Sequence, residues 1–262
     1  MKYYYYGITD KGKVRKNNED KYFINKLSDK EFLFAVADGM GGHLAGEVAS
    51  KTAIDILSKG IKSFKGTDIR KKLETILDKI NKTLLEMGKE NDEYWGLGTT
   101  LSILYIIDDQ GYMGHIGDSR LYKFSKNRLI QISEDHSFVA KLLKDKIISE
   151  DEAKTHPKRN LLTQSLGMLY NEIIPQIIGP IEIKKGEKYL LCSDGLHGFV
   201  ASKSIIKGLK KDTPEEAAKY LLNLALDEGG HDNITIITVF TEKAEDIKKS
   251  SLKKILKKVL NK

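Results

Sequence analysis

The chain has 262 residues, 40% apolar and 31% charged, with one cysteine and a net charge of +7. That balance fits a globular protein with a sizeable core and excludes a disordered chain, an internal disulfide and a multi-cysteine zinc site. No apolar run nears the roughly 18 residues of a membrane span and no signal-peptide pattern is present, so a reducing cytoplasm is the expected compartment.

The charge is unevenly placed. Residues 242–262 hold eight lysines against three acids, a net of +5 from 8 − 3, which leaves +2 for residues 1–241. The body has no basic patch interleaved with aromatics, so nucleic acid is not an expected partner.

In chain order, residues 3–8 read as a first strand, rich in aromatic and branched side chains and closed by Thr9-Asp10-Lys11-Gly12. A polar stretch leads into a short strand at 22–24 and a dense apolar strand at 31–37. Asp38 is placed where that strand ends, with Gly39, Gly41 and Gly42 following. Residues 45–64 and 68–88 repeat apolar positions every three or four residues and predict two amphipathic helices. Strand patterns return at 99–107, 112–116, 119–124 and 128–132 at meander spacing, with Asp108-Asp109-Gln110-Gly111 as the first turn.

Residues 134–166 read as polar and helical, broken at His156-Pro157. Strands resume at 181–183 and 188–192, Pro214 opens a helix, and 234–240 is the last strand. Strands and helices come in consecutive groups, which predicts an α+β layer fold of antiparallel sheets with helices packed outside. Residues 1–241 are expected to form a single domain, followed by a distinct tail at 242–262.

Five acidic clusters sit at predicted strand ends or turns: Glu19-Asp20, Asp38-Gly39, Asp118, Asp194-Gly195 and Asp232. Each alone reads as an ordinary turn. Together they form a set of hard oxygen donors suited to magnesium or manganese rather than zinc, and two such ions can activate a water and clamp a phosphoryl group.

The ordered set RKNNED (15–20), ADGMGGH (37–43), GTT (98–100), GHIGDSR (114–120), DHS (135–137), HPKRNLLTQSLG (156–167), LLCSDGL (190–196) and HDNIT (231–235) resembles the PPM-type, or protein phosphatase 2C, family, and its bacterial serine/threonine branch most closely. The resemblance runs from about residue 3 to 240. It implies a four-layer α/β/β/α sandwich, two antiparallel sheets flanked by helices, with the metal site in the cleft between them. It implies Asp38 as the carboxylate bridging two Mn2+ or Mg2+ ions and Gly39 as a backbone carbonyl ligand. Asp194 and Asp232 complete the first metal, Glu19 and Asp20 hold the second, and Asp118 with Asp194 matches a third-metal site. Arg15 matches the phosphate-binding arginine.

The implied reaction is hydrolysis of phosphoserine and phosphothreonine by a water or hydroxide bridging the two ions, opposing a bacterial serine/threonine kinase and acting on its phosphorylated substrates. A monomer is expected. Two alternatives stand beside it: a pseudophosphatase that binds phosphoproteins without turnover, disfavoured because every expected ligand position is filled, and a phosphatase dedicated to one small regulatory protein.

Met40 departs from the histidine that many eukaryotic members carry as leaving-group acid. The acid is therefore unassigned among a metal-bound water near Asp118, His43 and His136, and each histidine also reads as structural. Cys192 reads as a buried strand residue. Residues 140–166 match the flap of bacterial members. In the tail, Ile247, Leu252, Ile255, Leu256, Val259 and Leu260 fall mostly on one helical stripe with lysines opposite. That basic amphipathic pattern suits an anionic membrane surface or a partner, or a helix packed on the domain.

Overall fold

The computed structural model describes residues 1–41, 45–63, 66–168 and 172–241. Strands β1 (Tyr4–Asp10), β2 (Asp20–Ser28) and β3 (Glu31–Met40) open the chain, followed by helices α1 (Ala45–Ser63) and α2 (Ile69–Glu90). Next come β4 (Gly98–Thr99), β5 (Leu101–Ile107), β6 (Gln110–Ile116), β7 (Arg120–Ser125) and β8 (Arg128–Gln131). Short helices α3 (Phe138–Lys144) and α4 (Glu150–Thr155) precede β9 (Gln176–Glu182) and β10 (Lys188–Cys192). Helices α5 (Asp194–His197), α6 (Ser202–Leu209) and α7 (Pro214–Asp227) lead to β11 (Ile234–Phe240).

The strands form two antiparallel sheets. One runs β1-β11-β10-β7-β8, and the other β2-β3-β5-β6-β9 with β4 on the far end of β3. Their central strands read as unbroken apolar runs because both faces are covered. Along β3, Leu33, Ala35 and Ala37 meet α1 and α2, while Phe32, Phe34 and Val36 point the other way. Ile237 and Val239 of β11, with Tyr189 and Leu191 of β10, meet that second set from the opposing sheet. The outer faces of β10 and β11, through Leu190, Cys192, Ile234 and Ile236, pack on α6 and α7. Three apolar layers thus separate four layers of secondary structure, as expected.

Local chemistry explains the helix ends. Asp68 caps α2 by accepting from the N–H groups of Arg70 and Lys71. Thr213 and Glu216 form a reciprocal capping box around Pro214 at the start of α7.

Three expectations need correction. The expected meander breaks after β6: β5 and β6 pair with each other, but β7 pairs with β10 in the other sheet. Gly117-Asp118-Ser119 is therefore a crossing between sheets. Residues 134–166 are helical only in α3 and α4, with a loop returning along residues 156–168 to bridge Thr99 at Leu166. Strand β9 also begins five residues earlier than the predicted 181. Pro180 within it is tolerated because β9 is the last strand of its sheet, bonded on one side only. Of the flap and tail readings, 140–166 is described and 242–262 lies outside the described residues. Among the described residues no helix is long and apolar enough to cross a membrane.

Candidate active site

The expected acids gather at one end of the sandwich, and the two sheets contribute different members. Asp20 and Asp38 come from the six-stranded sheet, directly opposite each other across β2 and β3. Opposed residues project from the same face, so two carboxylates share one patch. Asp194, at the end of β10, Asp232, just before β11, and Asp118, in the crossing into β7, come from the five-stranded sheet.

Asp38 does not follow its strand, as the sequence suggested; it lies within it. β3 continues through Gly39 to Met40, pairing Thr99 and Gly98 of β4. A substituted carbon on Gly39 would stand 2.0 Å from the Gly46 carbonyl oxygen and 2.7 Å from that of Glu19. Gly195 meets the same constraint, 2.0 Å from the Asn233 carbonyl. In both Asp-Gly pairs glycine allows neighbouring backbone to approach the aspartate closely.

The backbone of Asp38 is held on both sides. Its N–H donates to Thr100 Oγ1 at 3.0 Å, and its carbonyl accepts from Thr100 N and Thr99 Oγ1, each at 2.9 Å. Asn233 anchors the loop before β2: its side-chain oxygen accepts the Glu19 N–H at 2.8 Å, while its amide donates to the Lys11 and Asn17 carbonyls at 2.9 Å. Ser193 Oγ donates to Asp20 Oδ2 at 2.7 Å. Sequence reasoning gave no role to Asn233, Thr100 or Ser193, although each lies inside a quoted motif. The available signal was a polar residue beside an acid at the edge of an apolar strand.

The electrostatics are those of like charges forced together. Burial first, and then the neighbouring acids, push Asp38 and Asp194 well above the usual carboxylate range. Asp20 and Asp118 are raised to about 6, again chiefly by burial. Glu19, at the rim, is raised by burial against the pull of Arg15. Asp20 is 1% exposed, and its Oδ1 has no hydrogen-bond partner. Arg15 closes the edge of the cluster, donating from Nη2 to Asp232 Oδ2 at 2.7 Å. Gly39 lies beside Glu19, to whose carbonyl its N–H donates at 3.2 Å. Among the described residues no three His, Cys, Asp or Glu side chains converge as a ready cage for one ion. Asp38, Asp194, Asp118, Asp232 and Asp20 act on one another through their charges instead.

The candidate proton donors divide differently. His136 Nδ1 accepts the Gly117 N–H at 3.2 Å and its ring lies 5.1 Å from that of His115, a backbone-holding role. Met40 lies beside Gly98 and carries no proton to give. His43 lies outside the described residues. His231 pairs its ring with Phe199 at 5.2 Å. Cys192 is fully buried, and burial pushes its thiol up to about 12, so it serves as core.

Residues 11–234 match the family model described as Protein phosphatase 2C. The chain belongs to that family. The serine/threonine phosphatase stp of Listeria monocytogenes is 35% identical over 91% of this chain and 97% of its own. The serine/threonine protein phosphatase PstP of Mycobacterium tuberculosis is 36% identical over 89% of this chain and 44% of its own. Among solved structures, the M. tuberculosis phosphatase PstP/Ppp superposes with a TM-score of 0.83 at 35% identity, covering 92% of this chain and 99% of that one. The catalytic domain of PstP in complex with two manganese ions gives 0.80 at 34%, covering 91% and 97%. This family member is a protein-serine/threonine phosphatase, a phosphoric monoester hydrolase.

Proposed function

We propose that the acid cluster holds two divalent ions, manganese or magnesium, and that the phosphatase hydrolyses phosphoserine and phosphothreonine in proteins with their help. The observation that carries this reading is Asp20. A carboxylate is buried directly opposite a second one and keeps an oxygen without a partner. Such an arrangement is costly unless cations neutralise it. The donor set is all oxygen, which suits these two metals.

In this reading Asp38 would serve both ions, Asp194, Asp232 and the Gly39 carbonyl would help hold one, Glu19 and Asp20 the other, and Asp118 with Asp194 would offer a third site. When bound, such ions would activate a water for attack and neutralise phosphoryl charge. The protein's own part is positional. Arg15 uses one donor of its fork on Asp232 and has others to turn toward phosphoryl oxygens. Thr99 and Thr100 fix the Asp38 backbone, and Asn233 fixes the loop that carries Arg15 and Glu19. The physiological substrates are phosphoproteins made by a serine/threonine kinase.

The test is phosphate release from a phosphoserine or phosphothreonine peptide with manganese, with magnesium, and with chelator. Release that chelator abolishes and metal restores is expected. Release unaffected by chelator would overturn the metal assignment.

A further inference from the structure

Asp118 is unlike the other acids of the cluster, because the loop that carries it crosses from one sheet to the other. Gly117 takes a positive φ of 104°, and its backbone lies against Thr100 so closely that a substituted carbon would stand 2.5 Å from that side chain. A three-residue crossing of this kind has no strand partner to fix it, so its polar backbone groups must be satisfied elsewhere.

Three histidines from three different parts of the chain satisfy them. His136, after β8, accepts the Gly117 N–H on Nδ1 at 3.2 Å. His197, at the end of α5, donates from Nε2 to the Asp118 carbonyl at 3.0 Å. His115, in β6, lies with Nδ1 2.8 Å from Ser102 Oγ, a hydroxyl that is also 2.8 Å from the Ser119 carbonyl. The far nitrogen of His115 contacts the Glu134 carbonyl at 2.9 Å, and His136 N–H donates back to the Gly117 carbonyl at 2.8 Å. Gly117 and Asp118 are therefore each held directly by an imidazole, and His115 lies against both Ser102 and the His136 ring.

We propose that His197 and His136, supported by His115, are positioning residues that set the Asp118 carboxylate against Asp194 and so determine how tightly the Asp118 position binds a divalent ion. This rests on the reading of Asp118 as a metal ligand. Outer partners that orient a ligand change metal affinity by roughly 10–100-fold when lost. His197 has a second reason to matter: it closes α5, the helix that Asp194 opens, so one imidazole links the backbones of both acids.

The experiment is a manganese binding isotherm by calorimetry on the full chain, comparing variants at one pH. Asp118→Asn should remove the weakest binding step and leave the tighter ones. His197→Leu and His136→Leu should weaken that same step roughly tenfold. His197→Gln and His136→Asn, which keep a donor or an acceptor at the same reach, should restore it to within about threefold. If Asp118→Asn changes no step, the ligand reading fails. If Asp118→Asn removes the step but the leucine variants bind like wild type, or the amide variants bind no better than the leucine ones, the positioning proposal fails. Should the leucine variants not fold, His197→Gln against His197→Asn decides. Asparagine falls short of the Asp118 carbonyl, and equal isotherms for the two would overturn the proposal.

Discussion

At the scale of single residues, the cluster stores repulsion that the fold tolerates for function. Asp38→Asn removes one of two opposed carboxylates. In chelator it should raise the thermal midpoint by roughly 2–4 °C, the equivalent of about 1 kcal/mol, while manganese-dependent turnover falls to background. Near-wild-type turnover would sink the bridging role. Burial of these carboxylates, with neighbouring acids adding to it, also sets a pH dependence. Asp20 and Asp118 titrate near 6 when folded, above the usual value of about 3.9, so the folded chain binds more protons between those values. In chelator, stability should therefore fall as pH rises from about 4 through 6 and level off above 7. Asp118→Asn should show a smaller fall, and an identical pH profile would contradict an origin in these buried carboxylates. Asn233 is the opposite case, a polar residue with every group satisfied. Asn233→Ala strands the Glu19 N–H and two carbonyls, and should cost about 2–3 kcal/mol in urea unfolding and raise KM more than it lowers kcat.

At the scale of elements, what was legible depended on whether a signal was local. Strands β3, β10 and β11 and helices α1, α2 and α7 announce themselves by apolar periodicity or a cap. The acids were legible as a set because each is close in sequence to a turn or the edge of an apolar run, although Asp38 proves to lie inside β3. Helix α6 was missed because it is eight residues long and Ala201 provides no side-chain cap. The crossing at Asp118 was missed because spacing alone cannot say whether the next strand stays in its sheet. The Asp-Gly pairs looked like turns, yet Gly39 and Gly195 have no positive φ. Their reason is another element's backbone, invisible to a local reading. Gly195→Ala tests this. Its methyl would collide with the Asn233 carbonyl and push α5 from the start of β11, carrying Asp194 with it. A loss of about 1–3 kcal/mol is expected, together with a fall in turnover. Unchanged stability and turnover would mean the close approach has no consequence.

At the scale of the molecule, the two sheets are joined chiefly by an apolar layer, and the acids sit where that layer ends. Asp20 and Asp38 belong to one sheet, while Asp194 and Asp232 belong to the other, so ions bound among them would tie the sheets together. A ligand that binds only the folded state stabilises it by about 2.7 kcal/mol at a hundred times its dissociation constant. For a chain of this size manganese should then raise the thermal midpoint by roughly 5–10 °C. Because the ions need both sheets at once, Asp38→Asn and Asp194→Asn should each remove most of that increase. The double variant should lose little more than either, a strongly non-additive pair. Two independent ion sites, one on each sheet, would instead give half-losses that add. Additive losses would refute the shared site and leave the sheets joined by packing alone.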